Sequence, residues 1–262
     1  MIGLMVLRLT SGFVDHQMQS GNHQSGGVGL QVANVRTESR ATTVAATMRA
    51  IRIEKIESTS PNRWRDVGKP AIEWLLALLA VMFLSPLFLV LAAVTFVGTG
   101  RPVIYRRRVM GRSGVEFDAF KFRTMINGAE RVLEQDERLR EAFTVNWKLF
   151  DDPRVTHTGR ILRKYSLDEL PQLFNVLRGE MSLIGPRMIS PPELERYGAL
   201  GSKLLSVRPG LTGLWQVSGR QRVDYDRRIE LDMRYIEQCS PSMDLSILLR
   251  TVPVVLGAEG AF

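Results

Sequence analysis

Two adjacent carboxylates, Asp168 and Glu169, lie in the middle of the chain within a strongly basic stretch. The cations that precede and follow them are Arg160, Arg163, Lys164, Arg178 and Arg187. If the carboxylates lie at a helix start, free N–H groups and the positive end of the helix dipole provide an anion site there. An aspartate near arginines stays ionised and can face a bound phosphate. The segment from Arg160 to Arg187 therefore predicts a phosphate-handling site.

A purely structural interpretation of the same segment is also open. Ser166 and Glu169 have the Ser-x-x-Glu spacing of a capping box. Apolar residues then recur at helical spacing, namely Leu167, Leu170, Leu173, Phe174 and Leu177. A helix that begins near Ser166 with one apolar face accounts for all of them. Both interpretations predict a helix that starts at the carboxylates.

Composition limits the partners and the class of protein. The 262 residues carry a formal net charge of +8, which indicates an anionic partner: nucleic acid, a phospholipid surface or a phosphorylated small molecule. Cys239 is the single cysteine, so the chain cannot build a disulfide framework. The three histidines are scattered, which argues against a zinc site. The length suits one catalytic domain with an appendage.

The elements that must position the site begin with a membrane segment. Residues 71–97 are almost entirely apolar, but Ser85 and Pro86 interrupt them in the middle. Proline removes a helical hydrogen bond, and each arm would span only about 17 to 22 Å, too short for a bilayer core of about 30 Å. Basic residues flank both ends, which favours a re-entrant helix-break-helix with both ends in the cytoplasm. A proline-kinked helix that spans once is the alternative.

The rest of the chain divides around this segment. Residues 1–60 are polar and glycine-rich and are predicted to be a disordered tail, residues 61–100 the membrane segment, and residues 101–262 the catalytic domain. Two short strands on either side of the Gly111–Gly114 turn predict a β-hairpin. Later apolar residues at helical spacing predict amphipathic helices that pack in the core or at the membrane interface. The expected fold class is α+β and mostly helical.

Five motifs in order carry a resemblance to a known family. They are Lys121–Met125, Asp152–Val155, Ser166–Leu173, Met181–Arg187 and Pro209–Val217. Together they resemble the bacterial sugar transferases, the monotopic polyprenyl-phosphate hexose-1-phosphate transferases that are also called phosphoglycosyl transferases. The resemblance extends from about Arg63 to Phe262 and leaves only the N-terminal tail outside it.

The resemblance implies a reaction and its catalytic residues. A UDP-sugar, with UDP-galactose or UDP-glucose as the expected donor, gives sugar 1-phosphate to undecaprenyl phosphate and releases UMP. Asp168 would be the nucleophile and form a phospho-aspartyl intermediate, and Asp168 and Glu169 would hold Mg²⁺. A carboxylate nucleophile divides one difficult displacement into two, and Mg²⁺ suits one or two carboxylates together with substrate phosphates.

The resemblance also assigns binding residues. Lys121, Arg123 and Arg163 match positions near the phosphates, and Pro186 and Arg187 match a Pro-Arg-Pro motif associated with the nucleotide. Met188 departs from that motif, because the family usually has proline there.

The implied location is the cytoplasmic face of the bacterial inner membrane. The family's re-entrant helix is broken at a Ser-Pro pair that coincides with Ser85 and Pro86. Expected partners are the UDP-sugar, undecaprenyl phosphate and membrane lipid, with a homodimer left open. The compact chain resembles the enzymes that start exopolysaccharide or capsule repeat units. Two alternatives are a non-catalytic scaffold of a polysaccharide assembly complex and, less favoured, a nucleic-acid binder, so no nucleic acid is expected.

Overall fold

The computed structural model describes residues 62–146, 149, 152–220 and 223–257. The predicted tail, residues 1–60, lies outside this range. Nine α-helices are described: α1 (Lys69–Thr99), α2 (Ala129–Gln135), α3 (Glu137–Asn146), α4 (His157–Lys164), α5 (Leu173–Leu177), α6 (Gly201–Leu204), α7 (Leu214–Val217), α8 (Tyr225–Gln238) and α9 (Pro241–Leu256). The described strands are β1 (Ile104–Met110), β2 (Glu116–Phe122), β3 (Ser182–Ile184) and β4 (Gly210–Thr212). The expected α+β, mostly helical class is confirmed.

The predicted hairpin is present and carries the first of the basic motifs. Strands β1 and β2 pair antiparallel, with Tyr105 opposite Lys121. The turn between them includes Ser113 and Gly114, both at positive φ, which allows the tight reversal. The hairpin therefore fixes the position of Lys121 relative to the rest of the domain.

A second, parallel pair was not predicted from the sequence. Strands β3 and β4 pair with Ser182 opposite Gly210. Beyond the end of β3, Arg187 forms a separate parallel bridge with Gly210. The two backbone segments approach so closely that a Cβ on Gly210 would lie 2.1 Å from the amide nitrogen of Gly185. A Cβ on Gly213 would lie 2.1 Å from the Gly185 carbonyl oxygen. Only glycine fits at these positions, so the backbone around Arg187 is held tightly in place.

Helix α1 corrects the expectation of two helical arms separated by a break. The helix runs through Pro86 without interruption from Lys69 to Thr99. Pro86 cannot donate to the carbonyl oxygen of Met82, but the Ser85 hydroxyl donates to that oxygen at 2.8 Å. The lost backbone hydrogen bond is thereby replaced, so proline does not end the helix.

Helix α1 and the turn before it form one segment, Trp64–Thr99, that is long and apolar enough to cross a membrane, the one such segment within the described ranges. Only 11% of its most apolar 18-residue stretch is buried, and Phe83 is 84% exposed. A core helix of a soluble protein would be mostly buried. The exposed apolar surface therefore fits a membrane anchor.

Both ends of helix α1 pack against the elements that follow it in the chain. Near the amino end, Glu73 accepts hydrogen bonds from the Ser182 hydroxyl and, at 3.0 Å, from the amide of Ile184 in β3. At the carboxyl end, a Cβ on Gly98 would lie 2.8 Å from the Thr158 hydroxyl of α4. The helix is about 46 Å long at 1.5 Å per residue. It is therefore attached to the same domain at two widely separated points.

A buried polar cluster anchors the amino end of α1. Lys69 Nζ lies 2.9 Å from Glu73 Oε1 and 2.8 Å from Asp244 Oδ2 of helix α9. Trp64 Nε1 and the Tyr235 hydroxyl also donate to Asp244, at 2.8 and 2.7 Å. Every carboxylate in the cluster is paired, which is the condition for burying such charges.

The two C-terminal helices, α8 and α9, differ in how far their apolar faces are buried. Helix α8 buries Met233 and Ile236 in the main core cluster together with Trp215. Helix α9 buries Ile247 but leaves Leu245 and Leu249 57% and 65% exposed. The periodic apolar residues therefore divide between a core helix and a helix with an exposed apolar face.

Candidate active site

The carboxylate pair lies on a 3-10 segment, Leu167–Gln172, that leads into α5. The predicted capping box is wrong. Ser166 adopts a left-handed conformation with φ of 54° and makes no side-chain cap. Its hydroxyl oxygen instead accepts a hydrogen bond from Arg220 Nη2 at 2.7 Å. The carboxylates thus begin a helical segment as predicted, but Arg220 rather than a local cap holds its start.

Lys121 joins the hairpin to the carboxylate pair. Its Nζ lies 2.5 Å from Glu169 Oε1. The fully buried Asn175 reinforces this junction: its Oδ1 accepts from the amide of Phe120 at 3.0 Å, and its Nδ2 donates to the carbonyl of Asp118 at 2.8 Å. The Asn175 amide thus makes the backbone hydrogen bonds that a neighbouring strand would make at the edge of β2. It thereby holds the strand that carries Lys121 against the segment that carries Glu169.

The two carboxyl groups have opposite electrostatic environments. Burial raises the pKa of Asp168 to about 6, the Glu169 charge adds to this effect, and Lys121 opposes it. Burial also acts to raise the pKa of Glu169, but Lys121, Arg187 and Arg107 hold that pKa below its ordinary value. At neutral pH both groups are therefore mostly ionised, and the cations that act on them are Lys121, Arg163, Arg187 and Arg107.

Two of the predicted phosphate-binding residues differ in where they lie. Arg163, in the last turn of α4, donates from Nε to the Thr124 hydroxyl at 2.9 Å, and its charge acts on Asp168. Arg123 instead hydrogen-bonds the Arg101 carbonyl at 3.0 Å and the Asn127 side chain. No contact between Arg123 and the carboxylate pair is found in the described part of the chain. The structure thus brings Arg163 and Lys121 to the pair, but not Arg123.

The β3–β4 pair positions the predicted nucleotide residues. Pro186 is buried, and its carbonyl accepts from the amide of Gly210 at 2.8 Å. Arg187 follows, with its amide donating to Asp232 Oδ1 at 3.1 Å and its guanidinium 4.8 Å from the Trp215 ring. The charge of Arg187 also lowers the pKa of Glu169. Met188, which replaces the family's usual proline, is buried in the apolar cluster against α1.

Sequence reasoning missed a further arginine near the pair. Arg107 belongs to a run of three arginines that was assigned to the membrane flank, yet its Nη2 lies 3.0 Å from Glu193 Oε2 and its charge acts on Glu169. Glu193 in turn forms a true capping box with Ser190. Successive side chains of a strand point to opposite faces, so Arg107 in β1 lies on the face opposite to Arg106 and Arg108. This alternation was the sequence signal that could have identified Arg107.

The donor set at the pair suits a hard divalent cation. Among the described residues there is no group of three or more His, Cys, Asp or Glu side chains arranged for a metal. Mg²⁺ does not require one, since it commonly takes one or two carboxylates and completes its shell with water and substrate phosphates. The Glu169 side chain remains 32% exposed beside its lysine partner, so it is not closed off from solvent. The residues present therefore fit Mg²⁺ but do not build a closed metal cage.

Comparison with known proteins defines the class. A family model described as bacterial sugar transferase matches residues 64–258, from the turn before α1 to the end of α9. The chain belongs to the bacterial sugar transferase family, and within it to the phosphoglycosyl transferases.

Individual relatives are consistent with this assignment. The chain is 43% identical over 200 residues to the exopolysaccharide production protein ExoY of Sinorhizobium fredii, covering 75% of this chain and 88% of the relative. It is 47% identical over 167 residues to an undecaprenyl-phosphate galactose phosphotransferase of Salmonella typhimurium, covering 62% of this chain and 35% of that protein. It is 36% identical over 204 residues to a UDP-glucose:undecaprenyl-phosphate glucose-1-phosphate transferase of Xanthomonas campestris, covering 75% and 40%. The match to ExoY thus includes most of both chains.

Proposed function

We propose that this protein transfers hexose 1-phosphate from a UDP-sugar to undecaprenyl phosphate and releases UMP. The product would begin an exopolysaccharide or capsule repeat unit. The observation that carries the proposal is the buried Asp168 beside the Lys121–Glu169 ion pair, in a domain that also holds a long apolar helix. The names of the relatives favour galactose or glucose as the hexose.

The proposed reaction has two displacements at one phosphorus. A carboxylate oxygen of Asp168 attacks the sugar-side phosphorus, the bond from that phosphorus to the bridging oxygen breaks, and UMP leaves with the electron pair. An oxygen of the lipid phosphate then attacks the same phosphorus and displaces the Asp168 carboxylate, which restores the enzyme. Two steps with a covalent intermediate replace one direct transfer between two anions.

The surrounding cations have distinct parts in this proposal. Lys121 holds Glu169 and opposes the rise that burial causes in the pKa of Asp168, so the nucleophile stays mostly ionised. Arg163 faces Asp168 from α4 and offers positive charge to the transferred phosphoryl oxygens. Asp168 and Glu169 would also hold Mg²⁺, which supplies charge neutralisation for the diphosphate when bound. In this arrangement Arg123 would reach a phosphate only after leaving its Asn127 contact.

The proposed topology is monotopic, at the cytoplasmic face of the inner membrane. A helix that crosses the bilayer places its ends on opposite sides, whereas both ends of α1 contact one domain. That packing supports a helix whose two ends lie on the same side of the membrane. Basic residues at both flanks support a cytoplasmic position for both ends.

The function is tested by UMP release from a panel of UDP-sugars. Detergent-solubilised protein is assayed with Mg²⁺ and undecaprenyl phosphate, and with each component omitted in turn. We expect release that needs one UDP-hexose, the lipid phosphate and Mg²⁺ together. A folded, membrane-bound protein that releases UMP from none of the donors would refute the transferase proposal and favour a non-catalytic scaffold.

Replacing Lys121 by methionine is expected to lower kcat/KM for UMP release by about 100-fold. The change leaves Asp168 and Glu169 as neighbouring like charges and removes a cation from the transition state, and losses of this size are typical for one such group. Lys203→Met is the matched control, because Lys203 pairs with Glu237 on the surface. Equal activity of the two variants would contradict the role of Lys121.

A further inference from the structure

Arginines and aromatic rings alternate in a row that starts at the active site. The Arg187 guanidinium lies 4.8 Å from the Trp215 ring, and the Arg228 guanidinium lies 4.7 Å from the same ring. Arg228 is also 5.1 Å from the ring of Tyr225, and Arg196 is 4.8 Å from that ring. Because Arg187 acts electrostatically on Glu169, this row extends from the carboxylate pair into the domain.

Arg187 and Arg228 lack the anionic partners that such groups normally have. Neither makes an ion pair with a carboxylate within the described ranges. Their Nε atoms are buried, and among the described residues neither atom has a hydrogen-bond partner. Trp215 Nε1, in a side chain only 6% exposed, is likewise buried and unpartnered there. Buried polar groups are nearly always hydrogen-bonded to protein, water or ligand, so three unpartnered atoms in one place mark a polar site that a ligand can complete.

The nearby carboxylates are already engaged elsewhere. Asp232 accepts from the Arg187 amide and, at 2.9 Å, from the Tyr197 hydroxyl. Glu193 pairs with Arg107 and forms a capping box with Ser190 at the start of the 3-10 segment Pro191–Leu200. Burial lowers the pKa of Arg228, and the charge of Arg187 lowers it further. The two guanidinium groups are therefore close enough to repel each other. Asp232 acts electrostatically on both guanidinium groups, but neither forms an ion pair with it within the described residues.

We propose that Arg228 is a second diphosphate-binding residue, which together with Arg187 holds the phosphates of the nucleotide sugar on the side that leaves as UMP. This inference rests on the proposed function and adds a residue to its donor site. Two guanidinium groups that share one aromatic support match a diphosphate, whose two charges they can balance through paired hydrogen bonds. Trp215 fixes both groups in place, so little side-chain freedom is lost on binding.

The test compares Arg228→Gln with Arg227→Gln. Arg227 is the adjacent residue on α8, but it is exposed and pairs with Glu230 at 2.6 Å. The two variants therefore make the same change at the proposed site and at an exposed position outside it. Binding of UMP is measured by calorimetry, and KM is measured for the UDP-sugar and for undecaprenyl phosphate separately. We expect Arg228→Gln to weaken UMP binding and raise the UDP-sugar KM by about 10- to 100-fold, as for loss of a charge-assisted hydrogen bond.

Arg227→Gln should leave both values within about twofold, since exposed ion pairs contribute little. Arg228→Lys retains charge but not the planar fork, so it should recover part of the loss, and it replaces the glutamine variant if that variant does not fold. Unchanged UMP binding in Arg228→Gln, with an active wild type, would overturn this inference alone. A changed KM for undecaprenyl phosphate with normal UMP binding would also overturn it. A wild type that neither binds nor releases UMP would instead refute the proposed function.

Discussion

Asp168→Asn is expected to lower UMP release by at least about 10³-fold, because the amide has no anionic oxygen with which to attack phosphorus. The side chain keeps nearly the same size, so the buried site loses its nucleophile without gaining a cavity. Incubation of the wild type with the UDP-sugar and Mg²⁺, without the lipid phosphate, should add the mass of one hexose-phosphoryl group to the protein. The variant should show no such adduct in the mass spectrum.

Asp118→Asn provides the matched control. Asp118 lies on the hairpin and pairs with Arg108 at 3.3 Å at the surface, so the same chemical change is made outside the proposed site. We expect its activity to stay within about twofold of the wild type. An Asp168→Asn protein that retained a tenth of the activity, or that still formed the adduct, would show that another group attacks the phosphorus.

Lys69→Met is expected to lower the free energy of unfolding by about 3 to 5 kcal/mol, the usual cost of removing one partner from a buried ion pair. The change leaves Glu73 and Asp244 buried without their shared cation, 2.9 and 2.8 Å from where Nζ stood. Thermal unfolding in detergent should therefore show a large drop in the midpoint temperature.

Two further variants test whether unpaired buried charge causes the loss of stability in Lys69→Met. Lys203→Met removes a lysine from a surface pair with Glu237 and should cost no more than about 1 kcal/mol. Combining Lys69→Met with Glu73→Gln and Asp244→Asn neutralises both buried acids, and it should recover part of the lost stability. If the triple variant is no more stable than Lys69→Met alone, lost packing rather than unpaired charge explains the effect.

The sequence was sufficient for features encoded by local pattern. Alternation and glycines predicted the hairpin that carries Lys121, and apolar length predicted α1. Adjacent carboxylates among basic residues predicted that Asp168, Glu169 and Arg163 share a site, and the family resemblance added Lys121. The structure brings these four together. The motifs also placed Arg187 near the pair. The roles of these residues in catalysis and binding stay predictions.

Features set by long-range contacts could not be predicted in this way. Ser166 and Glu169 have the spacing of a capping box, but Arg220, 54 residues later, binds the Ser166 hydroxyl. The break expected at Pro86 fails for a local reason instead, because the hydroxyl of the neighbouring Ser85 replaces the missing donor. Lys69 and Asp244 are separated by 175 residues, and no local pattern links them. Arg227 and Arg228 are identical neighbours in the sequence, and only packing against Trp215 distinguishes them.

The close backbone contact between Gly185 and Gly210 has a consequence for engineering. A hybrid enzyme made to accept another sugar would exchange segments between two homologous chains. A crossover between residues 185 and 213 would combine one parent's Arg187 loop with the other parent's opposing strand. Any side chain on either surface would force the two apart and displace Arg187 from the carboxylate pair. Residues 182–217 should therefore be exchanged as one block, with the crossovers placed outside it.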